Sequence, residues 1–170
     1  MPNVEDPAKQ PVAHLGGKYL TFALGDEGYG LEILKVREII KYMDITHVPR
    51  TPGYVRGVIN LRGQVISVID LRAKFSMQEA APTDETCIIV VESADAETRR
   101  KTTTGVIVDR VSEVLNIAGD AIEPAPTLGR GVRSDFILGM GKVGQQVKIL
   151  LDIDRVLDGE ARPADLAEAA

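Results

Sequence analysis

The second half of the chain repeats the pattern of the first, and this repeat constrains the fold more than any other feature. With a shift of 75 positions, six residues of the first half fall on residues of similar type: Gly30 on Gly105, Ile33 on Val108, Val36 on Val111, Glu38 on Glu113, Ile39 on Val114 and Ile40 on Leu115. With a shift of 82, a second group matches: Gly57 on Gly139, Val65 on Val147, Val68 on Leu150, Ile69 on Leu151, Asp70 on Asp152, Leu71 on Ile153 and Phe75 on Leu157. The repeat predicts two similar units, about residues 18–80 and 85–157, packed against each other.

Each unit has the pattern of a small, strongly twisted β-sheet. Tyr19–Gly25 alternates large and small residues as a strand does, and Gly25–Gly28 supplies a turn to the returning strand Tyr29–Ile33. Val55–Leu61 and Gln64–Asp70 predict a second hairpin. Sheets of about five short strands remove their open edges by curling into barrels.

Short helical turns complete the predicted fold. The segment LKVREII spaces Val36, Ile39 and Ile40 as one face of a helical turn would. Asp70 and Asp152 each end a strand-like run, where an aspartate can cap a short helix. The fold class predicted is therefore mainly β, with two five-stranded barrels and a groove between them, and the sequence leaves open whether strands are exchanged between the two.

Composition and termini narrow the class of protein. Residues 1–17 are rich in proline and glycine and predict a flexible leader, and residues 158–170 predict an acidic tail. The net charge of −5 argues against a nucleic-acid partner and against docking on anionic lipid. The leader does not resemble a signal peptide, and no apolar run is long enough to span a membrane. We expect a soluble cytoplasmic protein without membrane insertion.

Motifs for catalysis, metals and cofactors are missing from the sequence. Glycine-rich phosphate-binding motifs are absent, and the single cysteine, Cys87, lies in an apolar strand-like run. His14 lies in the leader and His47 in a proline-rich loop, so neither is placed to act as a base. The matched pair Asp70 and Asp152 could in principle do acid–base work, but helix capping explains it better. We therefore expect no enzymatic activity, no cofactor and no metal site.

A few residues are better suited to contact with another protein. Arg62 stands at the turn of the second hairpin, and Gly57 occupies a strand position where a larger residue would be more stable. Arginine beside exposed aliphatic side chains is a common composition of binding hot spots. The irregular segment DITHVPRTPGY places Ile45, Val48 and Tyr54 either over a barrel end or against a partner.

The chain resembles the CheW family of chemotaxis coupling proteins. The matching motifs are YLTFALGDEGYGLEILKVREII, TPGYVRGVINLRGQVISVIDLRAKF, GVIVDRVSEVLNI and GQQVKILLDIDRVL, in the family's order and spacing, from about Gly17 to Leu157. The polar loop SADAETRRKTTT is long for the family, and the two tails are peculiar to this chain.

The resemblance implies a fold, two partners and a set of contact residues. The fold is two SH3-like β-barrel subdomains, and the implied role is a non-enzymatic adaptor. It would join the cytoplasmic tip of methyl-accepting chemoreceptors to the regulatory domain of the histidine kinase CheA, in arrays at the inner face of the membrane. By motif position, receptor contact is implied for Ile33, Val36, Glu38, Gly57, Asn60 and Arg62. Kinase contact is implied for Ile45, Val48, Tyr54 and Leu157.

Other interpretations stay open from the sequence alone. The same fold could serve a chemosensory pathway other than chemotaxis, such as one for surface motility or development. Less favoured are a kinase regulatory domain cut from a larger protein, an enzyme that uses Asp70 with Asp152, and a nucleic-acid-binding pair of barrels.

Overall fold

The computed structural model describes residues 12–125 and 134–158, and more than half of these residues lie in strands. Eleven strands and two short α-helices are found in these residues. The strands are β1 (Gly17–Leu24), β2 (Glu27–Glu32), β3 (Val36–Lys41), β4 (Val55–Leu61), β5 (Gln64–Asp70), β6 (Cys87–Ala94), β7 (Lys101–Val108), β8 (Arg110–Ile117), β9 (Ile122–Glu123), β10 (Ile137–Val143) and β11 (Gln146–Leu151). The helices are α1 (Leu71–Lys74) and α2 (Ile153–Val156).

The strands form two sheets, which confirms the prediction of a mainly β fold with two sheets. One sheet has six strands in the order β8-β1-β2-β11-β10-β9, and the other has five in the order β3-β6-β7-β5-β4. The six-stranded sheet has one strand more than predicted because the two-residue strand β9 pairs with β10 at its edge.

Each sheet is built from strands of both halves of the chain. β2 of the first half pairs in parallel with β11 of the second, and β7 of the second half pairs in parallel with β5 of the first. The chain crosses between the sheets at a 3-10 turn between β2 and β3 (Ile33–Lys35) and at the single residue Asp109 between β7 and β8. The two halves are therefore interlocked rather than placed side by side.

Matched glycines allow close packing against a neighbouring strand in both sheets. Gly30 of β2 lies opposite Leu150, and Gly105 of β7 lies opposite Val68. A Cβ atom on Gly30 would lie 2.9 Å from Leu150 Cδ2, and one on Gly105 would lie 2.8 Å from Ile88 Cγ2. A side chain at either position would push the neighbouring strands apart, so the repeat of the two glycines has a packing cause.

Three apolar clusters hold the fold together. The largest lies between the sheets and includes Phe22, Leu31 and Val91, while two smaller clusters fill the interiors of the two barrels. Along β6, Ile88 and Val90 belong to the interior of the five-stranded barrel, and Ile89 and Val91 belong to the cluster between the sheets. Strand alternation thus buries β6 on both faces, which explains its unbroken apolar run.

The two predicted helix caps are confirmed. The Asp70 side chain accepts hydrogen bonds from the backbone N–H groups of Arg72 and Ala73 at the start of α1, and the Asp152 side chain accepts one from Arg155 in α2. The helical turn predicted over LKVREII is wrong, because a 3-10 turn covers only Ile33–Lys35 and the remainder is strand β3. Its β-branched residues pair with β6, and this long-range pairing overrides the local spacing.

The predicted leader and tail fall largely outside the described residues, at 1–11 and 159–170. Within residues 12–17, Ala13–Leu15 form a 3-10 turn, and Val12 and Leu15 pack against the cluster inside the six-stranded barrel. The Tyr19 hydroxyl donates a hydrogen bond to the Leu15 carbonyl oxygen at 2.6 Å. Burial, with the nearby Glu32 charge, raises the pKa of Tyr19 to about 12, so the hydroxyl stays protonated as this bond requires. Among the helices of the described residues, none is long and apolar enough to cross a membrane.

Candidate protein-binding surface

The candidate site lies where the two edges of the five-stranded sheet come together. Glu38 lies in the edge strand β3, and Arg62 lies in the turn that follows the other edge strand, β4. Arg62 Nη2 is 2.5 Å from Glu38 Oε1. The side chain of Arg62 is 72% exposed and that of Glu38 is 29% exposed, so the ion pair closes the barrel at its surface. We call this line of contact, from Glu38 and Arg62 to Gly57, the seam.

The hairpin turn holds Arg62 in an exposed position. The two turn residues have positive φ angles, 50° at Arg62 and 88° at Gly63, as a two-residue type I′ turn requires. The Asn60 side-chain oxygen accepts a hydrogen bond from the Gly63 N–H at 2.8 Å. Asn60 therefore stabilises the turn that exposes Arg62. Both predicted residues belong to the same β4–β5 hairpin.

Gly57 lies farther along the seam, where no side chain fits. It is buried at a β-bulge with a φ angle of 142°, and a Cβ atom there would lie 1.9 Å from the Thr46 carbonyl oxygen. Thr46 and Val58 exchange two backbone hydrogen bonds of 2.9 Å at this point. Gly57 thus lets the segment after β3 pair with β4, and it contributes the shape of the backbone to the site and no side chain.

Ile33 and Val36 do not lie beside the Arg62–Glu38 pair. Both are partly buried and pack against the cluster between the sheets. A bulge in the β3–β6 pairing places Val36 opposite Val91 and Glu38 opposite Val90, on opposite faces of the sheet. The structure therefore brings Glu38, Asn60 and Arg62 together at one end of the seam, while Ile33 and Val36 mark the crossover into β3.

The residues implied for kinase contact divide into a partly exposed group and a buried one. Ile45, Val48 and Tyr54 are all partly buried, in the irregular segment between β3 and β4. The ammonium group of Lys74 lies 4.1 Å from the centre of the Tyr54 ring, a cation–π contact. Leu157 is only 5% exposed and belongs to the cluster between the sheets, so its side chain offers little surface and we leave it out of the proposed contact.

Several exposed apolar residues near these positions were not singled out from the sequence. Leu34 is 94% exposed at the crossover between Ile33 and Lys35, and Ile39, Tyr42 and Met43 are each 38–43% exposed along and just after β3. Treating LKVREII as a helix placed Ile39 on a buried face. If the same segment is taken as a strand, its side chains alternate between the two faces of the sheet, and Ile39 is predicted to point away from the barrel interior.

Charged groups away from the seam are paired in ways that explain them structurally. Asp70 caps α1 and also pairs with Arg56 Nη2 at 2.8 Å, and Asp152 caps α2. Burial raises the pKa of Asp152, which caps α2, and the pKa of Glu32, the last residue of β2. As helix caps, Asp70 and Asp152 are not available as a catalytic pair. No cluster of metal-ligating side chains is found among the described residues.

The fold and the site together define a class: a pair of interlocked β-barrels with an ion-paired seam and exposed apolar side chains on its surface. Comparison with known sequences makes this specific. The family model described as "CheW-like domain" matches residues 18–161, and the chain belongs to this family.

Individual relatives agree with this assignment over most of the chain. The chemotaxis protein CheW of Klebsiella aerogenes is 37% identical over 86% of this chain and 84% of its own length. The CheW of Bacillus subtilis is 34% identical over 91% and 96%. Protein FrzA of Myxococcus xanthus is 30% identical over 82% and 84%. The crystal structure of the scaffolding protein TtCheW from Thermoanaerobacter tengcongensis is 34% identical, with a TM-score of 0.74 over 85% of this chain and 90% of that one. This likeness supports two SH3-like subdomains.

Proposed function

We propose that this protein is a non-enzymatic adaptor that couples the cytoplasmic tip of chemoreceptors to the histidine kinase CheA in chemotaxis arrays. Family membership supports the role, since the relatives from Klebsiella and Bacillus are named chemotaxis proteins and TtCheW is named a scaffolding protein. The proposal places the protein in the cytoplasm, recruited to receptor arrays at the inner face of the membrane. The observation that carries it is the exposed Arg62 on its rigid turn, paired with Glu38 at the barrel seam.

The receptor would dock along the seam. The Arg62 guanidinium has five donors, and its bond to Glu38 uses one of them. The other donors can bind carbonyl or carboxylate oxygens at the tip of a helical hairpin. Leu34, 94% exposed, lies outside the seam at the crossover into β3, where it would add an apolar anchor for the receptor next to the implied residues Ile33 and Val36.

The kinase would dock on the segment between β3 and β4. Ile45, Val48 and Tyr54 are partly exposed there, and Tyr42 and Met43 extend the same stretch with apolar surface. An aromatic residue among aliphatic ones is a frequent composition of binding hot spots. Each contact is expected to be weak alone, and many such contacts in an array raise the effective concentration and hold the partners together.

Co-sedimentation tests binding to both partners, and the receptor contact of Arg62, in one experiment. The protein is mixed with receptor-containing membranes and CheA, as wild type, as Arg62→Ala and as Lys142→Ala. Lys142 is the matched control, because it is an exposed, ion-paired cation in the corresponding hairpin of the second half, 2.9 Å from Glu123. We expect wild type and Lys142→Ala to bring CheA to the membranes, and Arg62→Ala to bind CheA in solution but to lose at least about tenfold in membrane recovery.

The outcomes separate the parts of the proposal. If wild type binds CheA but no receptor membranes, the receptor surface is wrongly placed. If Arg62→Ala and Lys142→Ala recover equal amounts, Arg62 is not a receptor contact. If wild type binds neither partner, the coupling role is wrong for this chain.

One alternative partner set has its own support. The similarity to Protein FrzA, which is not named a chemotaxis protein, favours an adaptor of a chemosensory pathway other than chemotaxis, such as surface motility or development. Repeating the co-sedimentation with each receptor and kinase pair of the source organism would show which pathway is served.

A further inference from the structure

Two half-buried ion pairs hold the sheets together, one at each crossover of the chain. In the first, which we call clasp 1, Arg72 of α1 binds Asp109 through Nε at 2.8 Å and Nη2 at 2.6 Å. In the second, clasp 2, Lys35 Nζ binds Asp154 of α2 at 2.8 Å. The four side chains are between 18% and 32% exposed.

The two clasps occupy corresponding places in the two halves. Arg72 and Asp154 are related by the shift of 82, and each lies in the short helix that follows a sheet's hairpin. Their partners, Asp109 and Lys35, lie at the crossovers between β7 and β8 and between β2 and β3. Each clasp therefore ties the helix of one sheet to the point where the chain enters the other.

The acid of each clasp makes a further bond to the opposite sheet. Asp109 Oδ2 accepts a hydrogen bond from the Gly25 N–H at 2.6 Å, in the β1–β2 turn. Asp154 Oδ1 accepts one from the Ala94 N–H at 2.9 Å, at the end of β6. The bonds have the same arrangement, but the charges are reversed. Clasp 1 has its cation on the helix, and clasp 2 has its cation at the crossover.

The two parallel strand pairs alone would not select the pairing of one half with the other. Gly30 of β2 lies opposite Leu150, and Gly105 of β7 lies opposite Val68. Between two copies of the chain, β2 of one copy could meet β5 of the other, with Gly30 opposite Val68. A glycine opposite an aliphatic residue fits in either case, so this strand pair alone does not distinguish the two halves.

We propose that the reversed charges of the two clasps make a first half pair with a second half. The same charges disfavour the pairing of two first halves, or of two second halves, from different copies of the chain. In a pairing of two first halves, Arg72 would meet Lys35. In a pairing of two second halves, Asp154 would meet Asp109. Both contacts are between like charges, whereas the native pairing makes both contacts attractive.

The electrostatic surroundings agree with this role. The Arg72 guanidinium, with the Gly25 N–H, holds the pKa of Asp109 below its usual value, and the bond to Asp154 raises the pKa of Lys35. Both shifts favour the charged forms of Asp109 and Lys35. Asp70 and Arg110 are also near clasp 1, and Glu32 and Asp152 are near clasp 2, so the anions near clasp 2 would offset part of the repulsion between Arg72 and Lys35 without removing the like-charge contact.

An exchange of the two crossover residues tests the proposal without changing composition or net charge. In the full chain, Lys35→Asp with Asp109→Lys makes both native contacts repulsive and both like-half contacts attractive. The matched neutral control is Lys35→Gln with Asp109→Asn, which removes the clasps without reversing them. A fourfold variant adds Arg72→Asp and Asp154→Arg to the exchange, which makes the native contacts attractive again.

The readout is the molar mass of each variant after unfolding and refolding over a range of concentrations, by light scattering on a sizing column. We expect wild type, the neutral control and the fourfold variant to refold as monomers. The exchange variant should show a dimer-to-monomer ratio roughly tenfold or more above that of the neutral control. If the exchange variant aggregates, a monomeric fourfold variant still supports the proposal. An exchange variant as monomeric as the neutral control, a fourfold variant that stays dimeric or aggregated, or a dimeric wild type would overturn it.

Discussion

Among the glycine-to-alanine changes along the seam, Gly57→Ala should lower the stability of the protein the most. The residue has a φ angle of 142°, and the new Cβ would lie 1.9 Å from the Thr46 carbonyl oxygen and 2.7 Å from the Thr46 carbonyl carbon. These are backbone atoms, so they cannot move aside as a flexible side chain would. Relief requires the segment around Thr46 to separate from Val58 of β4.

The expected cost follows from two contributions. A non-glycine residue in this region of φ costs about 1–3 kcal/mol. Separating Thr46 from Val58 breaks two backbone hydrogen bonds of 2.9 Å, each worth about 1 kcal/mol net. Gly57→Ala should therefore lower the free energy of unfolding by about 3–5 kcal/mol, a large part of the total for a domain of this size.

Two other glycines provide matched controls. Gly63 has a φ angle of 88° but open space around its Cβ position, so Gly63→Ala should show the cost of backbone strain alone, about 1–2 kcal/mol. Gly53 has neither a positive φ nor a close neighbour, so Gly53→Ala should have little effect. Urea unfolding followed by circular dichroism gives the three values, and hydrogen exchange at the Thr46 and Val58 amides reports local opening. If Gly57→Ala costs no more than Gly63→Ala, or leaves both amides protected, the reasoning about the Thr46 contact is wrong.

Three further predictions concern charged groups away from the seam. Asp109→Asn should lower stability by about 2 kcal/mol at pH 7, and the difference should shrink as pH falls through the depressed folded-state pKa of Asp109, because the carboxylate stabilises the fold only while it is ionised. Glu32→Gln should do the reverse: burial raises the pKa of Glu32, so the ionised form opposes folding, and the variant should gain up to about 1 kcal/mol at pH 7, with the gain lost below about pH 4. Thermal unfolding from pH 3 to 8 measures both, and parallel curves for wild type and variant would contradict either sign. Asp70→Ala should cost about 1 kcal/mol more than Asp152→Ala, because Asp70 caps its helix with two bonds and pairs with Arg56 at 2.8 Å, whereas Asp152 makes one cap bond and a longer, more exposed pair with Arg155 at 3.5 Å. Equal losses in urea unfolding would show that the pair with Arg56 adds nothing.

Local signals in the sequence predicted the elements that depend on neighbouring residues. The turn at Arg62 and Gly63 and the caps at Asp70 and Asp152 each follow from a few adjacent positions. The prediction failed at β3, because Val36, Ile39 and Ile40 fit one face of a helical turn as well as they fit a strand. Only the pairing with β6, nearly 50 residues away, decides between them.

The candidate site could be predicted only in part, for a similar reason. Arg62 and Asn60 are recognisable from the turn alone. That Glu38 meets Arg62 depends on the closing of the barrel, and the separation of Val36 from Glu38 depends on a bulge in the β3–β6 pairing. Neither the closure nor the bulge has a short-range signal, so motif position grouped residues that the fold places on opposite faces of one sheet.

One feature of the sequence, a continuous apolar run, indicates that strands are shared between the two units. The run Cys87–Val91 is apolar at every position, whereas a strand at the surface of a single barrel alternates. Such a run must face two apolar layers, and β6 does so, with Ile88 in a barrel interior and Ile89 between the sheets. A strand with two buried faces is expected to lie between the two units, with one face in a barrel interior and the other in the interface between the sheets. Which strands flank it does not follow from the run, because the two halves carry the same glycine and aliphatic pattern. The reversed charges at the crossovers are one feature that distinguishes the halves, and their role can be recognised only when the positions of the crossovers are known.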